Sequence, residues 1–193
     1  MSRKAKQYRQ TRETEVEVEI DIDGQGNIEV DTSIPFMNHL LHSMLFYLNA
    51  DAKIRGRDKE YFDDHHLVED IGITLGKAFQ EALGDKRGIN RFGSSIIPMD
   101  EALVITSVDI SNRGESHVDL KLKREEIGGM AIENIYIFIN SFARNSGITI
   151  HVLQLRGKNT HHILEACFKG LGMSLREATK IIDNQVRSTK GVI

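Results

Sequence analysis

A His-His-x-x-Glu run occurs twice in this chain, as His65-His66-Leu67-Val68-Glu69 and as His161-His162-Ile163-Leu164-Glu165. On an α-helix, positions i and i+4 lie about 40° apart around the axis and i and i+3 about 60°, so both imidazoles and the carboxylate of a run can share a face. Two imidazole nitrogens and a carboxylate oxygen suit a borderline divalent metal. One such triplet alone would read as a solvated helix start; two at equivalent positions point to metal ligation. Four of the 8 histidines stand in these runs. His151 precedes the second run in an apolar strand, where a neutral imidazole needs a partner. His39 lies early in an apolar helical stretch and reads equally as a ligand or as a core histidine bonded to a carbonyl. His42 and His117 have charged or polar neighbours and read as surface.

Cations gather in turns and at the end of the chain: Arg91 after Gly-Ile-Asn, Arg113 after a strand, and Ser188-Thr189-Lys190-Gly191 in the tail. Arginine forks and a lysine beside a hydroxyl suit a phosphate monoester. Singly each reads as a surface charge; the tail stands out, since a charged segment beyond the last helix frays unless something holds it. There is no nucleophile elbow, P-loop or GxGxxG. The one cysteine, Cys167, falls inside an apolar helical pattern and reads as a packed small residue, so covalent catalysis is not indicated.

The elements that must carry these residues follow from periodicity. Val16, Val18, Ile20 and Ile22 alternate with charged residues as a half-buried strand, and Asp23 to Asn27 reads as a hairpin turn into a strand from Ile28 to Asp31. Pro35 suits the first turn of a helix running to about Asn49. A strand at Ala52 to Arg57 and a helix from His65 to Leu83 complete a ββαβα unit, and Gly84 to Gly88 marks a boundary. Alternating residues from Ala102 to Ile110 and from Val118 to Leu122, a helix from Met130 to Asn145, a strand from Ile148 to Leu155 and a helix from Thr160 to Asn184 repeat the order. The two runs differ by 161 − 65 = 96 positions, and the same offset carries Leu75, Gly76, Glu81 and Ala82 to Leu171, Gly172, Glu177 and Ala178. That is an internal repeat. The expected fold class is α+β, two tandem ββαβα halves spanning 1–88 and 89–193, each a four-stranded type of mixed sheet packed on helices. Equivalent motifs can then meet near a pseudo-twofold axis or occupy equivalent places on an oligomer.

Composition bounds the partners. At 193 residues, 40% hydrophobic and 27% charged, the chain can bury one sizeable core or two small fused ones. A formal charge of −3 gives no global cationic field for nucleic acid. The start is basic without an apolar signal region, no apolar stretch approaches the roughly 20 residues of a membrane span, and a lone cysteine cannot form an internal disulfide. These place the chain in the cytoplasm, with no membrane partner.

In the order in which they occur, Arg9-Gln10-Thr11-Arg12-Glu13-Thr14, Ile34-Pro35-Phe36-Met37-Asn38-His39, Asp64 to Asp70, Arg91-Phe92-Gly93, Pro98 to Leu103, His151, Gly157 to His162, Glu165 to Lys169 and Ser188 to Val192 resemble imidazoleglycerol-phosphate dehydratases along nearly the whole chain. The resemblance implies a hydro-lyase of histidine biosynthesis that converts imidazole glycerol phosphate to imidazole acetol phosphate. It implies a metal set of His39, His65, His66, Glu69, His151, His161, His162 and Glu165, holding two Mn2+ ions per active site. It implies phosphate contacts from Arg91, Arg113, Lys169, Ser188 and Lys190, and a contact of Glu13 with the glycerol part. Glu13, Glu69 and Glu165 become the catalytic carboxylates. It also implies a large cubic homo-oligomer, a 24-mer, with sites shared between subunits. The chain departs from the pattern at Asn38, Ser43 and Tyr47 and in Ser111-Asn112-Arg113-Gly114, positions that bear on substrate contacts rather than metal ligands. Paired metals and cations would also suit a two-metal phosphoesterase. A metal-binding assembly without enzymatic activity is a third reading, and it would not need the cations.

Overall fold

The computed structural model describes residues 3–193. The first half runs β1 (Lys4–Gln10), β2 (Thr14–Asp21), β3 (Ile28–Thr32), α1 (Pro35–Leu48), β4 (Asp51–Asp58) and α2 (His65–Leu83). The second runs β5 (Phe92–Met99), β6 (Ala102–Ile110), β7 (Ser116–Asp119), a two-stranded insertion β8 (Glu126–Ile127) and β9 (Met130–Ala131), then α3 (Asn134–Ser146), β10 (Ile148–Arg156) and α4 (Thr160–Thr179). The strand orders are β1-β2-β4-β3 and β5-β6-β10-β7, and in each sheet the last pairing is parallel and the others antiparallel. The halves therefore share one topology, a mixed sheet of four strands with two helices, as the repeat in the sequence required.

Each half opens with a strand that alternation did not predict. β1 turns Ala5, Gln7 and Arg9 inward, so only one apolar residue marks its buried face. The expected hairpin between β2 and β3 is not formed: β4 lies between them, antiparallel to β2 and parallel to β3. The turn after β2 is held instead by Asp51 of β4, whose Oδ1 accepts from the backbone N–H groups of Gln25 and Asn27, both at 2.8 Å. A polar turn between two apolar runs predicts a reversal of direction but not which strand becomes the neighbour.

The central strands bury alternate residues on the helix side, as in β2, where Val16, Val18 and Ile20 are covered while the glutamates between them face outward. The helices cross-pair: α1 packs on α4 and α2 on α3, while α2 also covers the first sheet and α4 the second. A single apolar core runs through both halves. No helix among the described residues is long and apolar enough to cross a membrane.

α4 stops at Thr179, five residues before its predicted end. The chain beyond leaves the helix to pair with the linker between the halves, Ile182 N–H donating to Gly88 O and Asn90 N–H to Lys180 O, both at 2.8 Å. Those bonds supply the restraint that a charged tail needs.

Candidate metal centre and anion cluster

Both His-His-x-x-Glu runs open a helix, and an Asx side chain two residues ahead bonds the first histidine of each, from the N-cap Asn159 in α4 and from Asp63, one residue before the N-cap Asp64, in α2. Asp63 Oδ1 accepts the backbone N–H of His65, and Asn159 Oδ1 that of His161, each at 2.9 Å; the two Asx residues are separated by the same 96 positions. That side chain satisfies an N–H that the first turn leaves free and fixes where the first imidazole starts.

In the second run, His161 and Glu165 share a face as helical spacing predicts, with His161 Nε2 3.3 Å from Glu165 Oε2. The cross-packing of α1 on α4 brings His39 to the same oxygen, its Nε2 at 3.7 Å. His39 is half exposed and faces this carboxylate, so the core alternative for it does not hold. One ligand atom from each of His39, His161 and Glu165 lies within 4.8 Å of the others, the only such group among the described residues. Two nitrogens and one oxygen converging at that spacing fit a divalent transition metal. Burial pushes the Glu165 carboxyl up, but the hydrogen bond and charge of Lys169, with Nζ 2.7 Å from Oε1, and the fields of His39 and His161 outweigh it. The carboxyl is held below its ordinary range.

The first run has a different environment. Glu69 lines a cavity of about 390 Å³ with Ser116, Val118, Tyr136, Ile137 and Asn140, a wall without a histidine. His66 Nδ1 lies 2.8 Å from Glu13 Oε2, and the rings of His65 and His66 meet edge to face at 5.6 Å. His151 stands exposed on the outer face of the second sheet, stacked at 4.6 Å on His117 across the parallel pair β7/β10. His162 Nδ1 is 2.7 Å from Glu101 Oε2. That hydrogen bond, then those from the Asn159 and Lys158 backbones, hold the Glu101 carboxyl down to about 2, and the same carboxylate raises the imidazole. Within one chain, then, His39, His161 and Glu165 come together, while His65, His66, Glu69, His151 and His162 do not form a second ligand group.

Arg91, Arg113 and the tail do converge, through a residue that sequence reading passed over. Asp109, outward on β6, accepts from Arg91 Nε at 2.8 Å and from Arg113 at 3.0 Å. Arg91 donates its remaining amino group to the carbonyl of Arg187 at 2.7 Å, next to Ser188, whose hydroxyl accepts from the backbone of Lys190. Lys169 takes no part in this cluster; besides Glu165 it meets Met99 and the Tyr47 ring. Cys167 is fully buried and burial pushes its thiol up to about 12, so it is no nucleophile.

Comparison with known proteins supplies a family for this geometry. The profile of the family described as imidazoleglycerol-phosphate dehydratase matches residues 32–175. A Saccharolobus islandicus protein named imidazoleglycerol-phosphate dehydratase is 60% identical over 193 residues, covering 100% of both chains. A Sulfolobus acidocaldarius protein of the same name is 59% identical over 191 residues, covering 99% of each. Among solved structures, the Pyrococcus furiosus protein in complex with (S)-C348 superposes with a TM-score of 0.84 at 45% identity, covering 96% of this chain and 99% of that one. The Staphylococcus aureus dehydratase gives 0.80 at 31% identity, covering 93% and 99%. With the doubled histidine runs, the repeated sheet topology and relatives matching end to end, the chain belongs to the imidazoleglycerol-phosphate dehydratase family of hydro-lyases.

Proposed function

We infer that this chain is the hydro-lyase of histidine biosynthesis that removes water from imidazole glycerol phosphate to give imidazole acetol phosphate. The family is metal-dependent. The observation that carries the reading is the convergence of His39 with His161 and Glu165, donors from helices of both halves; the cluster of arginines suited to a phosphate lies at the other end of α4, where the Arg91 N–H donates to Ala178 O.

The reaction needs an electron sink. The C–H to be broken is only weakly acidic, so a carboxylate acting alone faces a high barrier. The substrate's ring can serve: once it gives up its N–H proton, its electrons expel the neighbouring hydroxyl, which leaves as water with a proton from an acid. The resulting diazafulvene has an acidic adjacent C–H, and its loss gives an enol that relaxes to the ketone. A bound metal supplies Lewis-acid polarisation of the ring nitrogens. Glu69 and Glu165 are the proposed proton carriers. Glu13, with one carboxylate oxygen on His66 and the other open, is proposed to orient the substrate hydroxyls. Arg91, Arg113, Ser188 and Lys190 are proposed to hold the phosphate, with Lys169, which stands at Glu165 toward the other end of α4, joining them from another copy in the proposed assembly; anchoring the remote end orients the reacting one.

The proposed resident metal is manganese, two ions per active site, with His39, His65, His66, Glu69, His151, His161, His162 and Glu165 as ligands. A second copy of the chain completes each site, within the cubic 24-mer that the family resemblance implies. Helices α1 and α3 end in left-handed caps at Asn49 and Gly147, an offset of 147 − 49 = 98. By that offset the counterpart of His39 is Ile137, which stands beside Glu69 and cannot bind a metal. The first run thus lacks an internal third ligand, while His151 is exposed and available to a neighbour. The proposed division into halves at 88/89 is one of structural repeats, since their shared core argues against independent folding. The proposed location is the cytoplasm.

Incubation of the manganese-loaded protein with imidazole glycerol phosphate is expected to yield ketone without free phosphate. Release of inorganic phosphate would indicate a phosphoesterase, and no turnover at all would leave a metal-binding assembly. A substrate methylated on one ring nitrogen should be inert; its normal turnover would refute the role given to the ring.

A further inference from the structure

The two halves repeat a contact that lies outside the ligand set. In each, the second histidine of the run turns Nδ1 onto a glutamate from the turn between the first two strands: His66 onto Glu13 at 2.8 Å, and His162 onto Glu101 at 2.7 Å. β1 and β2 hold the same places in the first sheet that β5 and β6 hold in the second, so the two glutamates are structural equivalents. The His162–Glu101 contact is a hydrogen bond and an ionised carboxylate only accepts, so the neutral His162 ring carries its proton on Nδ1 and keeps its lone pair on Nε2; the His66–Glu13 contact is an approach of the same atoms without hydrogen-bond geometry.

The surroundings of the two glutamates differ. Glu13 engages the ring through one oxygen. Glu101 is committed on both sides: Oε2 meets His162, while Oε1 accepts the backbone N–H groups of Lys158 at 3.1 Å and Asn159 at 2.8 Å. Asn159 in turn caps His161. The carboxylate thus ties the tautomer of one histidine to the helix start that places the other. Asp100 approaches His162 Nε2 only to 3.6 Å, beyond a hydrogen bond, so that nitrogen stays free.

We propose that Glu101 is a positioning residue of the metal centre: it fixes the Nδ1–H tautomer of His162 and holds Nε2 free for a metal. The assignment rests on the reading of His162 as a ligand. Carboxylates that accept the second N–H of a ligating histidine fix its orientation and raise its basicity, and their loss costs about 10–100-fold in metal affinity. Glu13, with an oxygen to spare, can serve the substrate as well; Glu101 has none left and serves the ring and the turn alone.

The test is Glu101→Gln in the full-length protein, stripped of metal and titrated with Mn2+ by calorimetry. The two backbone donors retain the single amide oxygen, the NH2 then faces Nδ1, and the ring must move its proton to Nε2. Manganese affinity is expected to fall at least tenfold and to recover in part in Glu101→Asp, with the melting temperature of the metal-free protein little changed. Unchanged affinity in Glu101→Gln, alongside a loss in His161→Ala, overturns the positioning role and leaves the metal centre standing. Unchanged affinity in both His161→Ala and His162→Ala overturns the metal reading itself. Should Glu101→Gln fail to fold, the nitrogen-15 NMR shifts of the His162 ring in the unsubstituted metal-free protein read the tautomer directly; an Nδ1–H ring supports the proposal, and an Nε2–H ring overturns it.

Discussion

Asp109 shows how one carboxylate can organise a cationic site, taking Arg91 and Arg113 on its two oxygens while Arg91 reaches the tail. Two opposed effects follow from its charge: it fixes both guanidiniums, and it competes with a phosphate for them. At these distances the charge-assisted bonds outweigh a partial loss of attraction in a site open to solvent. Asp109→Asn is therefore expected to raise KM about tenfold, roughly 1.4 kcal/mol, with kcat nearly unchanged. Steady-state kinetics decide it, and a fall in KM would show competition to be the larger effect. At this scale the sequence was legible where residue types recur at helical spacing. His161 and Glu165 meet as their i, i+4 positions required, and in both runs an Asx side chain two residues ahead accepts the N–H of the first histidine. Asp109 and Glu101 carry no such mark. Each is an ordinary acid in a strand or a turn, and its meaning comes from partners that the fold brings in, the more distant being 61 positions away at His162.

Among the elements, the helix crossings depend on a glycine that the repeat offset had already picked out. A Cβ on Gly172 would sit 2.2 Å from the carbonyl of Met44 and one on Gly76 2.8 Å from that of Phe142, so α4 meets α1, and α2 meets α3, backbone to backbone. The shared role explains why this position recurs at 96. Gly172→Ala must push α4 away from α1, at a cost of about 2–3 kcal/mol, or about 5–10 °C in Tm for a chain of this size. It should also loosen His39 from His161 and Glu165. Gly76→Ala should cost less, and calorimetric melting of the two variants side by side would expose the reverse order. Helix α2 was expected from His65 to Leu83 and spans those residues, whereas α3, expected from Met130, begins at Asn134 because Met130 and Ala131 pair with Ile127 and Glu126 as a strand. β1 was not legible, having one apolar inward residue, and the end of α4 was not, because its periodicity continues into a tail that prefers backbone partners at Gly88 and Asn90. Strand neighbours were illegible for a further reason: a turn sets a reversal, whereas the neighbour is set by contacts far along the chain.

Across the whole molecule, the outer faces of the two sheets differ in kind. The first is a lattice of opposed charges, with Lys6 2.7 Å from Glu19, Lys53 3.0 Å from Glu29 and Arg57 2.6 Å from Asp31, a surface made for water. The second exposes Phe92, Ile96, Leu153 and Leu155, with Ile96 and Leu153 flanking Ile105 in register. Contiguous exposed apolar area of this kind marks an interface. In the proposed assembly it is covered by other copies, so Ile96→Glu should shift light scattering toward smaller species, and chelation should weaken the unsubstituted assembly by removing ligands shared between copies. A monomer with full activity would sink the assembly, whereas a large particle surviving complete chelation would remove only its link to metal. The repeat itself has an evolutionary consequence. A single half pairing with its twin would have formed two identical helix crossings, each bound to keep whatever ligands the other kept. A fused chain is free of that constraint, and its two crossings differ: one holds His39 beside Glu165, while its counterpart holds Ile137 beside Glu69. In the proposed assembly, a crossing without its own third ligand would leave its histidines for a neighbouring copy to complete, so the difference between the two crossings would itself favour staying assembled.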